Sequence, residues 1–273
     1  MSTLYVVATP IGNLEDISLR ALRVLGEVKL IAAEDTRKTK RLLNNYDIKT
    51  PMTSYYEHNK IIKLDYILDC LEEGDVALVS EAGTPGISDP GYELIKAARD
   101  RDIPVVPIPG ASAIVSALSV SGLPTDRFTY IGFLPRKAGA RNKLLDSVKM
   151  DPATLIIYES PRRLTDTMIN ILEIIGNRNV AVCRELTKIH EEVFKGTLRE
   201  AIDYFTKPRG EFTLIIEGEK EKKGSQVTKD IENQLDKMRE SGLSAREAIG
   251  RVSKETGLSR KELYRTWLKK KPI

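Results

Sequence analysis

Over the first 120 residues, short apolar runs alternate with stretches whose apolar positions return every three or four residues. Residues 3–8, with the run Leu4-Tyr-Val-Val-Ala8, predict a buried strand, as do Lys29–Ala33, Asp75–Ser80 and Ile103–Ile108. Between them, Ile17, Leu19–Leu22 and Leu25 predict a helix over 17–27, and Thr36–Asn45 reads as a basic helix. Ile61, Ile62, Leu64, Ile67, Leu68 and Leu71 keep helical spacing, and helices are predicted over Gly91–Arg101 and Ser112–Ser121. This alternation of strand and helix implies a mostly parallel sheet covered by helices.

Ser121-Gly122-Leu123-Pro124 interrupts the pattern and reads as a hinge. A second α/β unit follows. Its predicted strands are Phe128–Phe133, Ala153–Tyr158, Val180–Cys183, Val193–Lys195 and Phe212–Glu217, and its predicted helices are Ala138–Lys149, Pro161–Ile175 and Leu198–Phe205. The charged stretch Gly218–Ser225 reads as a linker. Beyond it, Val227, Ile231, Leu235 and Met238 form one helical stripe. Ser244 with Glu247, and Ser259 with Glu262, are capping boxes that open two more helices. Gly257 is placed to end the middle helix in a left-handed conformation, and Leu263, Trp267 and Leu268 would give the last helix its buried side. The expected organisation is therefore an α/β domain over 1–121, a second over 122–217, a linker over 218–225 and a small helix-turn-helix-like domain over 226–273.

Composition narrows the possible functions. With 41% hydrophobic residues the chain has the apolar content that disordered tails lack. No apolar stretch approaches the roughly 20 residues needed to span a bilayer, and no signal-peptide pattern opens the chain. Cys70 and Cys183 are far apart, which suits a reducing cytosol, and with His58 and His190 they form no metal spacing. The net charge is +4, but residues 225–273 alone carry +5. A basic appendage on a near-neutral body points to a polyanion, most simply nucleic acid.

Three loops rich in glycine and proline follow predicted strands: Ala8–Leu14, Ser80–Gly91 and Ile108–Ala113. In an open α/β sheet, ligands bind beyond the carboxyl ends of the strands, so three such loops suggest a small-molecule cleft. The phosphate loop and the dinucleotide fingerprint are both missing. Gly110-Ala-Ser112-Ala-Ile114 only partly matches a hydrolase nucleophile elbow, and Ser112 reads more simply as a helix cap.

Six segments carry a resemblance: Thr9–Leu14, Ala33–Arg37, Ser80–Gly91, Pro109–Ala113, Gly132–Arg136 and Tyr158–Leu164. The chain resembles the bacterial 16S ribosomal RNA (cytidine-2′-O)-methyltransferases, a branch of the tetrapyrrole (corrin/porphyrin) methylase superfamily. The resemblance extends from about Leu4 to Glu217. It implies two α/β domains with S-adenosylmethionine bent in the cleft between them, and commonly a homodimer. Carried over, the cofactor positions are Pro10, Ala82, Gly83, Thr84, Ile87, Ser112 and Ala113, with Tyr158, Leu186 and Thr213 from the second domain. The reaction implied is methyl transfer to a ribose 2′-hydroxyl of 16S rRNA, free or within the small ribosomal subunit, in the cytoplasm and without a metal.

Such a transfer benefits from a proton acceptor, and Glu81, Asp35 and Glu34 are candidates, each just after a predicted strand. Asp35 can equally cap the helix at Thr36, and the two glutamates can equally pair with a neighbouring arginine. Arg37, Lys38, Lys40 and Arg41 crowd one helix; Arg136, Lys137, Arg141 and Lys143 follow a turn; Arg162 and Arg163 open another helix, and Arg260 and Lys261 open the last. All are candidates for RNA phosphates. Tyr55, Tyr56 and His58 are candidates for stacking on an extruded base. A macrocycle methylase and a non-catalytic helix-turn-helix regulator stand as alternatives. The arginine clusters weigh against the first and the long two-domain body against the second.

Overall fold

A computed structural model describes residues 2–220 and 227–269. Most of the expected linker, residues 221–225, and the last residues of the basic tail lie outside them. The chain divides into two compact units, Met1–Gly218 and Glu219–Ile273.

In the first unit, β1 (Leu4–Val7), β2 (Leu30–Ala33), β3 (Met52–Ser54), β4 (Val76–Val79) and β5 (Val105–Ile108) form a sheet of order β3-β2-β4-β1-β5. Every pairing in it is parallel, with Leu4 opposite both Val76 and Val105. The short β3 was not expected from the pattern, because Met-Thr-Ser carries no period of its own. The helices α1 (Leu19–Glu27), α2 (Thr36–Asn45), α3 (Lys60–Glu73) and α4 (Tyr92–Asp100) cover the sheet. Ala21, Val24, Leu25 and Leu43 pack on one face with Val7, Ile31 and Ala77, while Ile67, Leu68, Leu71, Leu94 and Ala98 pack on the other with Leu4, Leu30 and Leu78.

The strand order places β1 between β4 and β5. The three glycine- and proline-rich loops therefore leave adjacent strands at the same edge, the location where open α/β sheets bind ligands. Thr9 and Gly83 exchange backbone hydrogen bonds (2.8 and 3.0 Å), joining the loop after β1 to the loop after β4.

The second sheet has the order β6-β7-β10-β8-β9, from β6 (Phe128–Phe133), β7 (Thr154–Glu159), β8 (Asn179–Arg184), β9 (Glu192–Thr197) and β10 (Phe212–Ile216). It is mixed: β6 and β7 run parallel, and the other pairs are antiparallel. Helices α6 (Ala138–Val148), α7 (Leu164–Ile174) and α8 (Leu198–Tyr204) bury Leu145, Leu164, Met168, Ile171, Leu198 and Ala201 against one face. The opposite face is covered by α5 (Ala113–Ser121), through Ala117 and Leu118 on Ile156, Ala181, Cys183 and Ile215. The helix that leaves the third loop of the first sheet thus packs on the second sheet, bringing the two sheets together at the loops.

In the second unit, α9 (Lys229–Glu240), α10 (Ala245–Thr256) and α11 (Arg260–Lys269) enclose a core of Leu235, Ala248, Ile249, Val252, Leu258 and Leu263. The Ser244–Glu247 capping box forms, and Gly257 is left-handed at φ +72. Ser259 Oγ accepts from the Glu262 amide (3.2 Å) and donates to its carboxylate (2.8 Å). Leu268, expected on the buried side of α11, is exposed; Leu263 and Trp267 carry that face, with the Arg239 guanidinium 4.3 Å from the Trp267 ring.

Candidate active site

A cavity of about 430 Å³ opens between the two sheets. The first sheet contributes Ile11, Glu34, the loop residues Glu81–Thr84 and Ile87–Asp89, and Ser112–Ile114. The second contributes Phe133, Tyr158–Pro161 and Glu211–Thr213. The loop after β4 coils back through left-handed residues Gly83 (φ +80), Gly86 (φ +80) and the non-glycine Ser88 (φ +63). Ser80 Oγ donates to the carbonyls of Ala82 (3.3 Å) and Gly83 (3.4 Å), holding the start of that coil. On the facing strand, a bulge between Tyr130 and Gly132 lets the two walls meet. A Cβ at Gly132 would lie 3.1 Å from Ser88 Oγ and is at φ +73, so only glycine suits that approach.

Carboxylates dominate the charge of the lining. Asp89 is pushed up to about 7 by burial and by the neighbouring Glu34 and Glu81 carboxylates. Glu34 Oε2 accepts the Glu81 amide at 2.9 Å, and Glu81 in turn pairs with Lys38. Ser88 Oγ and Tyr130 Oη share a 2.6 Å hydrogen bond, and the Tyr130 and Tyr158 rings meet edge to face at 5.3 Å. Burial raises the Tyr158 phenol well above its usual range, so it stays protonated at neutral pH. Apolar patches from Ile11, Ile87, Ile114, Phe133 and Phe212 interleave with these acids. The donor set fits a cationic ligand that carries a flat organic group.

A second groove of about 820 Å³ shares Ile11, Glu81, Ala82 and Glu211 with the cavity and adds Lys38, Arg41, Asn44, Asn45 and Lys188. The groove holds Arg41 and the ion-paired Lys38 and Lys188 against Glu81 and Glu211, and it runs directly into the acidic cavity.

A family model described as Tetrapyrrole (Corrin/Porphyrin) Methylases matches residues 3–202. The chain belongs to the tetrapyrrole methylase family. Among relatives, Ribosomal RNA small subunit methyltransferase I of Halalkalibacterium halodurans is 49% identical, over 96% of this chain and 93% of that protein. The protein of the same name from Thermotoga maritima is 50% identical, over 80% of this chain and 99% of its own length. Uroporphyrin-III C-methyltransferase from Thermus thermophilus, solved with S-adenosyl homocysteine, superposes with a TM-score of 0.57 at 19% identity, over 80% of this chain and 98% of that one. At that identity the likeness speaks for the fold.

Ala82, Gly83, Thr84, Ile87, Ser112, Ala113, Tyr158 and Thr213, expected from the tetrapyrrole methylase resemblance, all line the cavity. Pro10 lines the neighbouring groove instead, and Leu186 packs into the cluster between α5 and the second sheet. Ser112 stands at the N-cap of α5, but its side chain makes no capping hydrogen bond, contrary to the simplest sequence reading. Glu34 and Glu81 reach the cavity, while Asp35 does not line it. Asp35 caps α2, accepting from the amides of Arg37 (2.8 Å) and Lys38 (3.3 Å), and the Arg37 guanidinium holds its carboxyl below the usual range. Sequence reasoning did not single out Asp89, whose raised proton affinity depends on burial in the folded cavity and on Glu34 from the loop after β2 as well as Glu81 from its own loop.

The expected RNA residues separate in the same way. Lys38 and Arg41 line the groove. Arg37 is exposed beside Asp35, and Arg136 is exposed at the turn before α6. His58 is exposed with its ring edge-on to Tyr56, whereas Tyr55 is fully buried and unavailable for stacking. Arg163 is spent on structure: it pairs with Glu159 at 3.3 Å and donates to the Leu134 carbonyl at 2.8 Å. The helix expected from Pro161 begins only at Leu164, because the Glu159 carboxylate draws the intervening residues into a turn through the Ser160 amide (2.7 Å). Arg162 is exposed on that turn, and Arg260 and Lys261 are exposed on the first turn of α11.

Proposed function

We propose that this chain is an S-adenosylmethionine-dependent methyltransferase acting on small-subunit ribosomal RNA, with the ribose 2′-hydroxyl of a cytidine as acceptor. The observation that carries the reading is the junction of the acidic cavity with the basic groove, in a chain whose close relatives are named for ribosomal RNA methylation. When bound, S-adenosylmethionine supplies an electrophilic methyl group on a cationic sulfur. The carboxylates offset that charge, and Ile87, Ile114 and Phe133 give the cavity its apolar walls. Holding the acceptor oxygen in line with the methyl accounts for up to roughly 7–11 kcal/mol of the barrier.

With the methyl donor bound, the acceptor hydroxyl would give up its proton to a carboxylate of this chain. Glu34, Glu81 and Asp89 are the candidates at the cavity. Glu34 is occupied by the Glu81 amide and Glu81 by Lys38. Asp89, pushed up to about 7, suits proton acceptance near neutral pH. Arg41 binds a backbone phosphate in the groove, beside Lys38 on Glu81, and Arg260 and Lys261 supply a further basic surface. The homodimer expected from the resemblance belongs to the same proposal, as does a cytoplasmic location with the ribosome. Ile61, Ile62 and Tyr66 stand exposed along α3 and favour self-association, which analytical ultracentrifugation decides.

The deciding experiment supplies methyl-labelled S-adenosylmethionine with undermethylated small subunits, naked 16S rRNA and a tetrapyrrole precursor. Label recovered on a ribose after digestion to nucleosides supports the reading. Label in the macrocycle, or on a base, refutes it.

A further inference from the structure

A third depression, of about 570 Å³, is lined by Pro161, Arg162, Thr165, Pro208, Arg209 and Gly210. Pro161 also lines the central cavity, so the two are contiguous. No carboxylate lines this pocket, in contrast to the cavity beside it.

Both arginines stand on turns held by buried or paired groups. Glu159, 2% exposed, anchors the first turn: its carboxylate accepts from the Ser160 amide (2.7 Å) and Thr167 Oγ1 (2.7 Å) and pairs with Arg163. That fixes the backbone at Arg162 while consuming Arg163. In the second turn, the Arg209 carbonyl accepts from Arg184 Nε at 2.7 Å, and the Glu211 amide donates to Glu185 at 2.9 Å. Between them Gly210 is at φ +88, where a Cβ would come within 2.5 Å of Glu185 Cγ. The backbone is fixed at both positions, yet the Arg162 and Arg209 residues are exposed and their guanidinium groups make no ion pair or hydrogen bond among the described residues. The start of α7, which has no side-chain cap, adds its amide dipoles at Thr165.

We propose that this pocket seats a backbone phosphate of the RNA strand whose nucleotide enters the cavity. The inference rests on the RNA reading above and extends it. A strand crossing the cavity meets cations on both sides: Arg41 in the groove that shares Glu81 and Ala82, and Arg162 and Arg209 in the pocket that shares Pro161. The two guanidinium groups present paired donors of the kind that matches phosphate oxygens. The acidic cavity itself repels phosphate and leaves room for the sugar and base. Arg162 thereby acquires a partner, Arg209, that no sequence motif linked to it.

The test compares the full chain with Arg162→Gln, Arg209→Gln and the double variant. Affinity for undermethylated small subunits is measured by filter binding across a salt series, with S-adenosyl homocysteine affinity by calorimetry as the fold control. Each single change should weaken RNA binding by on the order of tenfold, and the double change should flatten the dependence of log affinity on log salt by about 0.7 to 1. S-adenosyl homocysteine affinity should stay within about twofold, and an Arg-to-Lys double variant should recover the salt slope. Wild-type affinity and slope in the glutamine double variant would overturn the proposal. So would protection of the wild type by millimolar inorganic phosphate without any change in RNA affinity in the variants, which would mark a free-anion site. If the wild type bound RNA through these arginines but transferred no methyl, the pocket would stand and the methyltransferase reading would fall.

Discussion

Asp89→Asn separates chemistry from stability in this protein. Burial, with the Glu34 and Glu81 carboxylates adding to it, raises the Asp89 carboxyl from 3.8 to about 7. The folded protein therefore keeps this proton over a range in which the unfolded chain has released it. Stability then falls as pH rises from about 4 to about 7, because the folded state binds the extra proton. At full burial a shift of that size is worth about 4 kcal/mol, and solvent access at this half-buried side chain reduces it to about 2 kcal/mol. Asparagine has the same shape and no charge to bury. The variant should be more stable than the wild type by about 2 kcal/mol at pH 8, about 4–8 °C in melting temperature for a unit of this size, with no difference left at pH 4. The single tryptophan, Trp267, lies in the C-terminal unit, so the assay is calorimetry or far-ultraviolet circular dichroism on cofactor-free protein. Methyl transfer should fall about 10²–10⁴-fold in the same variant if Asp89 takes the hydroxyl proton. Wild-type turnover should rise with pH through a midpoint near 7 and level off about one to two units above it. A variant that is less stable at pH 8, or whose stability difference does not change with pH, would refute the electrostatic argument; undiminished turnover would refute the proton role alone.

Three further outcomes follow from the packing. Removing residues 219–273 should weaken RNA binding while leaving S-adenosyl homocysteine affinity nearly intact by calorimetry, since the cavity lies wholly within Met1–Gly218; equal loss of both would contradict that division. Glu159→Gln should destabilise the first unit by about 1–3 kcal/mol in urea unfolding, because Arg163 loses its anionic partner and the turn its strongest acceptor. Gly210→Ala should cost at least about 1–2 kcal/mol from its left-handed backbone alone, and should lower RNA affinity by displacing Arg209.

The alternation of strands and helices, the capping boxes of the C-terminal helices and the loop positions were legible in the sequence, because each depends on residues within a few positions of one another. Ser244 and Glu247 cap their helix whatever the rest of the chain does. Strand order was not legible, and it is strand order that sets β1 between β4 and β5 and brings three loops to one edge. Nor could sequence show that α5 would pack on the second sheet, that Tyr55 would be buried while Tyr56 is exposed, or that Arg163 would be tied to Glu159 while its neighbour Arg162 has no ion pair among the described residues. Asp89 makes the distinction plainest: its carboxyl is ordinary as a residue type, and its raised proton affinity comes from burial in the folded cavity, with Glu34 from the loop after β2 and Glu81 from its own loop adding to it. Local periodicity is written between near neighbours in the chain, whereas burial, charge pairing and acidity depend on residues that only folding brings within a few ångströms.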